Sequence, residues 1–320
     1  MENLEILIIN NMFVVKYRKI FYSISILFVA FSIFAISFWG LTLGIDFKGG
    51  TSVEFAYTDE RPEINVIKSQ INTLNFTPSI SDSYSLVPVG KNGYTLNLRK
   101  ITEEERLSLI FALTNNNPDK IEFKKINSVG PTLGKEAIRK STISFVLVLL
   151  FIVLYLWFAF RKVSNSVPSW KYGLISIVAL CHDVIIPTGI FAVLGHYIGG
   201  YEIDTLFVTA VLVILGFSVH DTIVVFDRVR ENLKNNRMDK NDMSFEDIVG
   251  ISVRQTAIRS INTSLTTLFS VLVVYLIGPV ATKNFALVLL FGIFFGTYSS
   301  IFIASNLLVT VERWQKKGKK

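Results

Sequence analysis

Two histidine–aspartate pairs, His182-Asp183 and His220-Asp221, sit inside long apolar stretches. An ionised side chain at mid-bilayer costs at least ~2.5–3.5 kcal/mol on insertion scales, so such carboxylates are held by partners or mark an ion pathway. Asp221 lies a little under two turns before Arg228, the first cation of the next polar segment. It therefore belongs to the half of its span nearer that segment. Beyond the segment, the next apolar stretch opens after Arg259, with Asn262 and Thr263, Thr266 and Ser270 following at helical spacing. A polar stripe of this kind belongs against protein or water, not lipid. The simplest assembly sets it against Asp221, with Arg259 stabilising the carboxylate while burial opposes its ionisation. A carboxyl balanced in this way can load and release a proton as Arg259 moves. A static ion pair that only holds helices together is the other reading of the same residues. Neither involves covalent catalysis, so the chain does not read as an enzyme.

His182 and Asp183 are sequence neighbours, and neighbours on a helix point about 100° apart. They read as support for the relay, with His220, Asn262, Thr263 and Thr266, or as a hydrogen-bonding pair inside the bundle. No HExxH or paired CxxC spacing and no further ligand cluster accompanies them, so no metal site is expected. No cofactor is implied beyond a proton gradient. An intramembrane aspartyl protease would need Asp183 and Asp221 to share a proton. Asp183 lies near mid-depth and Asp221 towards one end, and neither sits in a Gly-x-Gly-Asp pattern.

The elements that must position these residues are apolar helices. Of 320 residues, 51% are hydrophobic and only 18% charged, a balance foreign to a soluble enzyme. Six segments can cross about 30 Å of hydrocarbon: Ile20–Leu43, Ser141–Phe160, Tyr172–Gly195, Thr205–Phe226, Ser260–Pro279 and Asn284–Val311. The first is too long for a cleaved signal and reads as a signal anchor. The net charge of +7 gathers at span ends, which argues for topology and against nucleic acid. Lys16, Arg18 and Lys19, then Arg161, Lys162 and Lys171, then the run from Arg228 through Lys240 to Arg259, then Arg313 to Lys320 all fall on one side. That side is cytoplasmic. The expected organisation is a cytoplasmic tail (1–19), a first span (20–43), an external domain (44–140), five further spans (141–311) with a cytoplasmic loop (227–259), and a basic tail (312–320) set against anionic lipid headgroups. The only cysteine, Cys181, leaves the external domain without a disulfide.

The external segment reads as a strand Thr51–Tyr57, a helix Pro62–Leu74, strands Ser79–Val87 and Tyr94–Leu98 joined across a turn, a helix Thr102–Leu113 opened by a Thr102/Glu105 capping box, and a strand Ile121–Val129. The order is that of a ferredoxin-like βαββαβ unit. The fold class is thus a membrane all-α bundle of six transmembrane helices carrying an external α+β ferredoxin-like domain between spans 1 and 2. Gly292 and Gly296 form a GxxxG suited to helix packing. Ser244 and Asp247 cap a helix, with Ile248, Ile251, Gln255 and Ile258 on one side, expected to lie on the cytoplasmic membrane surface. Asp46 and Lys48 read as an interfacial charge cluster.

Five blocks carry a family resemblance: Gly44–Thr51 (GIDFKGGT), Val129–Thr132 (VGPT), Ala179–Asp183 (ALCHD), Gly216–Asn232 (GFSVHDTIVVFDRVREN) and Arg259–Thr267 (RSINTSLTT). In this order, over nearly the whole chain, they resemble the signature blocks of SecF in the SecD/SecF family. The resemblance implies a SecD partner with a similar six-span half and an architecture similar to resistance-nodulation-division exporters. It also implies association with the SecYEG channel, recruitment of the YidC insertase, and use of the proton-motive force to draw unfolded preprotein across the bacterial inner membrane. It places the family's membrane aspartate on Asp221 and its fifth-span arginine on Arg259, with a further aspartate supplied by SecD. Two departures stand out: His220 where the family often has Asn, and Ser260 where Thr is common. The short tail and six spans resemble a separate subunit, not a fused SecD–SecF chain. Half of a proton-coupled drug or lipid exporter is the alternative, and a passive scaffold a third reading.

Overall fold

A computed structural model describes residues 13–74, 76, 84–114, 118–160, 168–239 and 243–318. A short helix α1 (Phe13–Lys16) precedes the first span, α2 (Arg18–Trp39). Then come a single helical turn α3 (Ile45–Lys48), β1 (Gly50–Tyr57), α4 (Ile64–Asn72), β2 (Ser85–Val89), β3 (Gly93–Leu98), α5 (Glu103–Thr114) and β4 (Ile121–Val129). One residue, Gly130, separates β4 from the second span, α6 (Pro131–Ala159). The remaining spans are α7 (Ser169–Tyr197), α8 (Thr205–Met238), α9 (Phe245–Ile277), and a last helix made of α10 (Val280–Ser299), a π-helical stretch Ser300–Ala304 and α11 (Ser305–Lys317). Among the described residues six helices are long and apolar enough to span a membrane, as the hydropathy pattern requires.

The chain divides into two units, one holding most of the spans, the other Trp39–Ile143 with Phe191–Val208. In the second, the sheet order β2-β3-β1-β4 with all neighbours antiparallel is that of the ferredoxin-like fold. Val53, Phe55, Leu96 and Leu98 pack against Ile67 and Ile71 of α4 and Leu109 and Leu113 of α5. The capping box forms in both directions: Glu105 N donates to Thr102 Oγ1 (3.2 Å) and Thr102 N to Glu105 Oε2 (2.9 Å). The second strand is centred later than its sequence pattern suggested, and residues 79–83 of that expectation lie outside the described set, as do Arg161, Lys162, Lys240, Lys319 and Lys320.

The glycine pair of GIDFKGGT has a steric cause. Gly49 and Gly50 take φ of +75° and +145°, which L side chains rarely adopt. A Cβ on Gly50 would stand 2.5 Å from the Leu98 carbonyl oxygen. The loop between α7 and α8 is strapped to this segment: Ile203 N donates to Thr42 O and Gly44 N to Ile203 O, each at 2.8 Å. Asn97 Nδ2 donates to Glu202 Oε1 (2.9 Å), and Asp204 caps α8 by accepting from Phe207 N (2.7 Å). Asp46 is more than an interfacial charge, because its Oδ2 accepts from the amide and hydroxyl of Thr205.

In the first unit, a core of Leu156, Phe160, Tyr172, Phe226, Val249 and Val253 lies at the cytoplasmic end. Phe160 stacks on Tyr172 (5.1 Å between centroids) and Phe226 meets both edge-on. One sequence expectation is corrected here. The helix capped by Ser244, with Asp247 N donating to Ser244 Oγ (3.1 Å), does not stop short of the fifth span. It continues as α9 to Ile277, because no helix-stopping residue intervenes before Gly278-Pro279. Its buried face is Ile248, Val249, Ser252, Val253 and Thr256, while Gln255 and Ile258 point outward.

Two outcomes follow. A Cβ at Gly189 on α7 would stand 2.5 Å from the Ser32 Cα of α2, a backbone atom that cannot swing aside. Gly189→Ala is expected to cost about 1–3 kcal/mol and to lower the thermal unfolding midpoint in detergent, whereas Gly216→Ala, which meets nothing within 4 Å, leaves it unchanged. In the strap, burial first, and then Asp204 and Asp46, push the Glu202 carboxyl above its usual range, against the Asn97 hydrogen bond and Lys48; burial and Asp46 push Asp204 up likewise. A group raised in the strapped state favours that state at low pH and loses this contribution as pH rises through the raised value. Hydrogen exchange at the Ile203 and Gly44 amides, corrected for intrinsic rate, should therefore slow as the pH is lowered through the raised carboxyl range. Glu202→Gln should weaken that dependence.

Candidate functional site

Asp221 is carried by α8 and is 3% exposed within a span. The side chains that act on it from α9 are the hydroxyls of Ser260 and Ser264. Neither Asp221 Oδ2 nor Ser260 Oγ has a hydrogen-bond partner. Two buried polar atoms at the α8–α9 contact are thus left unpaired beside the Ser264 hydroxyl. Arg259 is not among the carboxylate's neighbours. It is exposed, and among the described residues it forms no ion pair. Asn262, Thr263, Thr266 and Ser270 are exposed beside it, and His220 is exposed on α8. The expected stripe exists, but it looks out of this chain. The inward hydroxyls are a different set, Ser260 and Ser264, one turn apart.

Asp183 on α7 is wholly buried. Its Oδ2 accepts from Ser218 Oγ of α8 (2.5 Å) and Ser299 Oγ of α10 (2.7 Å), and its Oδ1 pairs with His182 Nδ1 (2.8 Å). The two neighbours bond to each other rather than to a common partner. The His182 ring stacks on Tyr298 (6.1 Å) and its Nε2 is buried without a partner. Both helices are irregular at this point. Pro187 withholds the helical hydrogen bond that the Asp183 carbonyl would otherwise accept, and the π-helical stretch starts next to Ser299.

Hydroxyls close to the two aspartates tie the same helices together. Ser218, the donor to Asp183, precedes Asp221 by three residues and accepts from Thr222 Oγ1 through its carbonyl (3.0 Å). Thr297, two residues before Ser299, donates to Ser264 Oγ (2.5 Å), which faces Asp221. Helices α7, α8, α9 and α10 are thereby joined through hydroxyls. Gly292 and Gly296 permit this closeness: a Cβ at Gly292 would overlap Ile214, and one at Gly296 would stand 3.2 Å from Ser218 Cβ. Among the described residues no group of three or more His, Cys, Asp or Glu side chains is arranged to hold a metal.

Comparison with known proteins places this geometry. Residues 110–314 match the family model described as protein export membrane protein SecD/SecF, C-terminal, and residues 34–59 match the SecD/SecF GG motif. The chain belongs to the SecD/SecF family. It is 40% identical to the protein translocase subunit SecF of Thermobaculum terrenum, covering 95% of this chain and 94% of that one. It is 36% identical to the SecF of a Synechocystis strain, covering 94% of each. Among solved structures it is similar to SecDF of Thermus, described as a translocon-associated membrane protein, with a TM-score of 0.78 and 30% identity over 94% of this chain. The chain spans 38% of that SecDF. A second SecDF structure, in a super-membrane-facing form, matches with a TM-score of 0.66 and 29% identity, over 95% of this chain and 39% of that one. The SecD/SecF C-terminal match contains Asp183, Asp221, Arg259 and every hydroxyl of the network, and the GG match contains Gly49 and Gly50.

Sequence reasoning picked out both aspartates and missed Ser218, Ser264, Thr297 and Ser299, whose only signal is a hydroxyl inside an apolar span. Their weight is measurable. Ser218→Ala with Ser299→Ala strips Asp183 Oδ2 of both donors, at about 1–3 kcal/mol for each unsatisfied bond. The double variant should unfold several degrees below the parent in detergent. Ser270→Ala, on the exposed face, should not.

Proposed function

We propose that this chain is the SecF-type subunit of a SecD–SecF complex that assists SecYEG-mediated protein export across the inner membrane at the expense of the proton-motive force, with Asp221 as the proton-carrying group. The observation that carries the assignment of Asp221 is the buried pair of unsatisfied atoms, Asp221 Oδ2 and Ser260 Oγ. The Ser260 hydroxyl opposite Asp221 can accept from the protonated carboxyl or donate to the ionised one, so the pair can serve both states of the cycle. The arrangement, with Arg259 away from the carboxylate, is the one a protonated Asp221 would adopt. Loss of the proton leaves a buried anion with no full set of donors, which draws Arg259 inward and shifts α9 against α8.

The SecD partner is supported by the face on which Arg259 stands. Asn262, Thr263, Thr266 and Ser270 are polar, lie within a span and are exposed in the single chain. Lipid is a poor neighbour for such a stripe, and a second helical half with its own carboxylate is a good one. The external domain would hold emerging unfolded preprotein, and SecYEG and YidC would be the neighbouring machinery. His182 and Asp183 act in support, holding α7, α8 and α10 in register around Asp221. A drug or lipid exporter half would share the aspartate logic, but nothing in the site favours it over protein export.

The test is gradient-dependent preprotein translocation by the reconstituted complex carrying Asp221→Asn. The stimulated stage should fall to the level seen without a gradient while assembly with the SecD half stays intact. Undiminished stimulation would falsify the relay and leave Asp221 a structural residue.

A further inference from the structure

At the cytoplasmic end of α2 and α11, the side chains of Arg18, Thr310, Arg313, Trp314, Lys316 and Lys317 line an open surface cavity of about 460 Å³. At its edge the Tyr22 and Thr310 hydroxyls are hydrogen-bonded at 3.0 Å, tying α2 to α11. Four of the six lining residues are cations. Two carboxylates oppose them. Glu246 lies 3.8 Å from Arg18 and is also bonded to Arg313, and Glu312 pairs with Lys316 at 2.6 Å. Four cations against two anions leave two positive charges without a counter-charge, and among the described residues Lys317 has no carboxylate partner.

The depth of the cavity says what can supply that charge. Arg18 is the first residue of the first span, and the apolar side chains Ile20 and Ile24 that follow it are exposed on the bundle surface. Trp314 is 71% exposed at the rim, a residue type that settles at the headgroup level. A ligand here meets cations at its head and an apolar helix surface below. Two guanidinium groups stand here. The Arg313 fork is closed on both oxygens of Glu246, but Arg18 is only loosely held by it at 3.8 Å and offers the planar donors that suit phosphate oxygens. A soluble anion would use only the first of these features.

We propose that this cavity is a specific site for the phosphodiester headgroup of an anionic phospholipid, with Arg18, Arg313, Lys316 and Lys317 on the phosphate and the acyl chains along α2. Binding would replace part of the claim of Glu246 on Arg18 and Arg313 and would fasten the C-terminal helix to the first span. The inference does not depend on proton-driven export, because it concerns ligand retention alone.

The test uses the purified full chain, delipidated in detergent and titrated with phosphatidylglycerol or with phosphatidylcholine of the same acyl chains, bound lipid being counted by native mass spectrometry. Phosphatidylglycerol should bind in preference. The double variant Lys316→Gln/Lys317→Gln, which alters only exposed side chains, should weaken that binding roughly tenfold or more. Lys283→Gln, at the other end of the bundle, should not. Equal binding of the two lipids, or unchanged binding in the double variant, would overturn the proposal. Displacement of the lipid by millimolar inorganic phosphate would overturn the lipid assignment in favour of a soluble anion.

Discussion

A carboxylate at the depth of Asp183 has no water to fall back on, so its oxygens must be met by the protein or the helix that carries it will not stay in place. Ser218, Ser299 and His182 meet them from three directions. Much else in the bundle follows. Helix α10 must approach α8 closely enough for both serines to reach one oxygen, and Gly292 and Gly296 allow that approach. The helix irregularities at Pro187 and at the start of the π-helical stretch fall where these donors converge. Asp221 is the contrast within the same bundle: equally withdrawn, but left with an oxygen that no donor meets. One aspartate is met by donors on α8, on α10 and on its own helix; the other keeps an oxygen with none.

The external domain was almost wholly legible in the sequence because its signals are local. Alternation in Thr51–Tyr57, the Thr102/Glu105 capping box and the glycine-rich turn before Tyr94 each depend on residues a few positions apart. The aspartates were legible for a different reason, since a charge in an apolar run stands out whatever surrounds it. Their partners were not. A serine in a membrane helix usually bonds to its own backbone, as Ser264 does to Ser260 O and Ser270 to Thr266 O. Ser270 and Ser264 therefore look alike in sequence, yet one faces outward and the other lies beside Asp221. The stripe Asn262, Thr263, Thr266 and Ser270 was read correctly as one face. Periodicity gives the face of a helix but not which neighbour lies opposite it.

The fifth span shows the same limit at larger scale. Its capping signal at Ser244 is real, and a cap followed by an amphipathic turn resembles a separate surface helix. What decides otherwise is the lack of any stop between Phe245 and Ile277, a run of about 50 Å at 1.5 Å per residue, well beyond the thickness of the hydrocarbon. The buried cytoplasmic core around Phe160, Tyr172 and Phe226 engages its first turns and makes that length stable.

The attachment of the sheet to its spans has a mechanical consequence. Strands β1 and β4 are neighbours, and the chain enters β1 and leaves β4 at the same end, where Gly50 pairs with Val129 and Thr51 with Ser128. Tension that separated those two points would load the ladder in a peeling geometry, opening one rung at a time from Gly50–Val129 inward, instead of straining all rungs together. Such a sheet resists little when its two roots are pulled apart and keeps its shape when they travel as a pair. The bridge from Leu43 to Ile203, and the loss of any Cβ at Gly134, which lets the Phe47 carbonyl press against the start of α6, clamp those roots. The sheet is thereby suited to keeping its shape for as long as its two roots stay together.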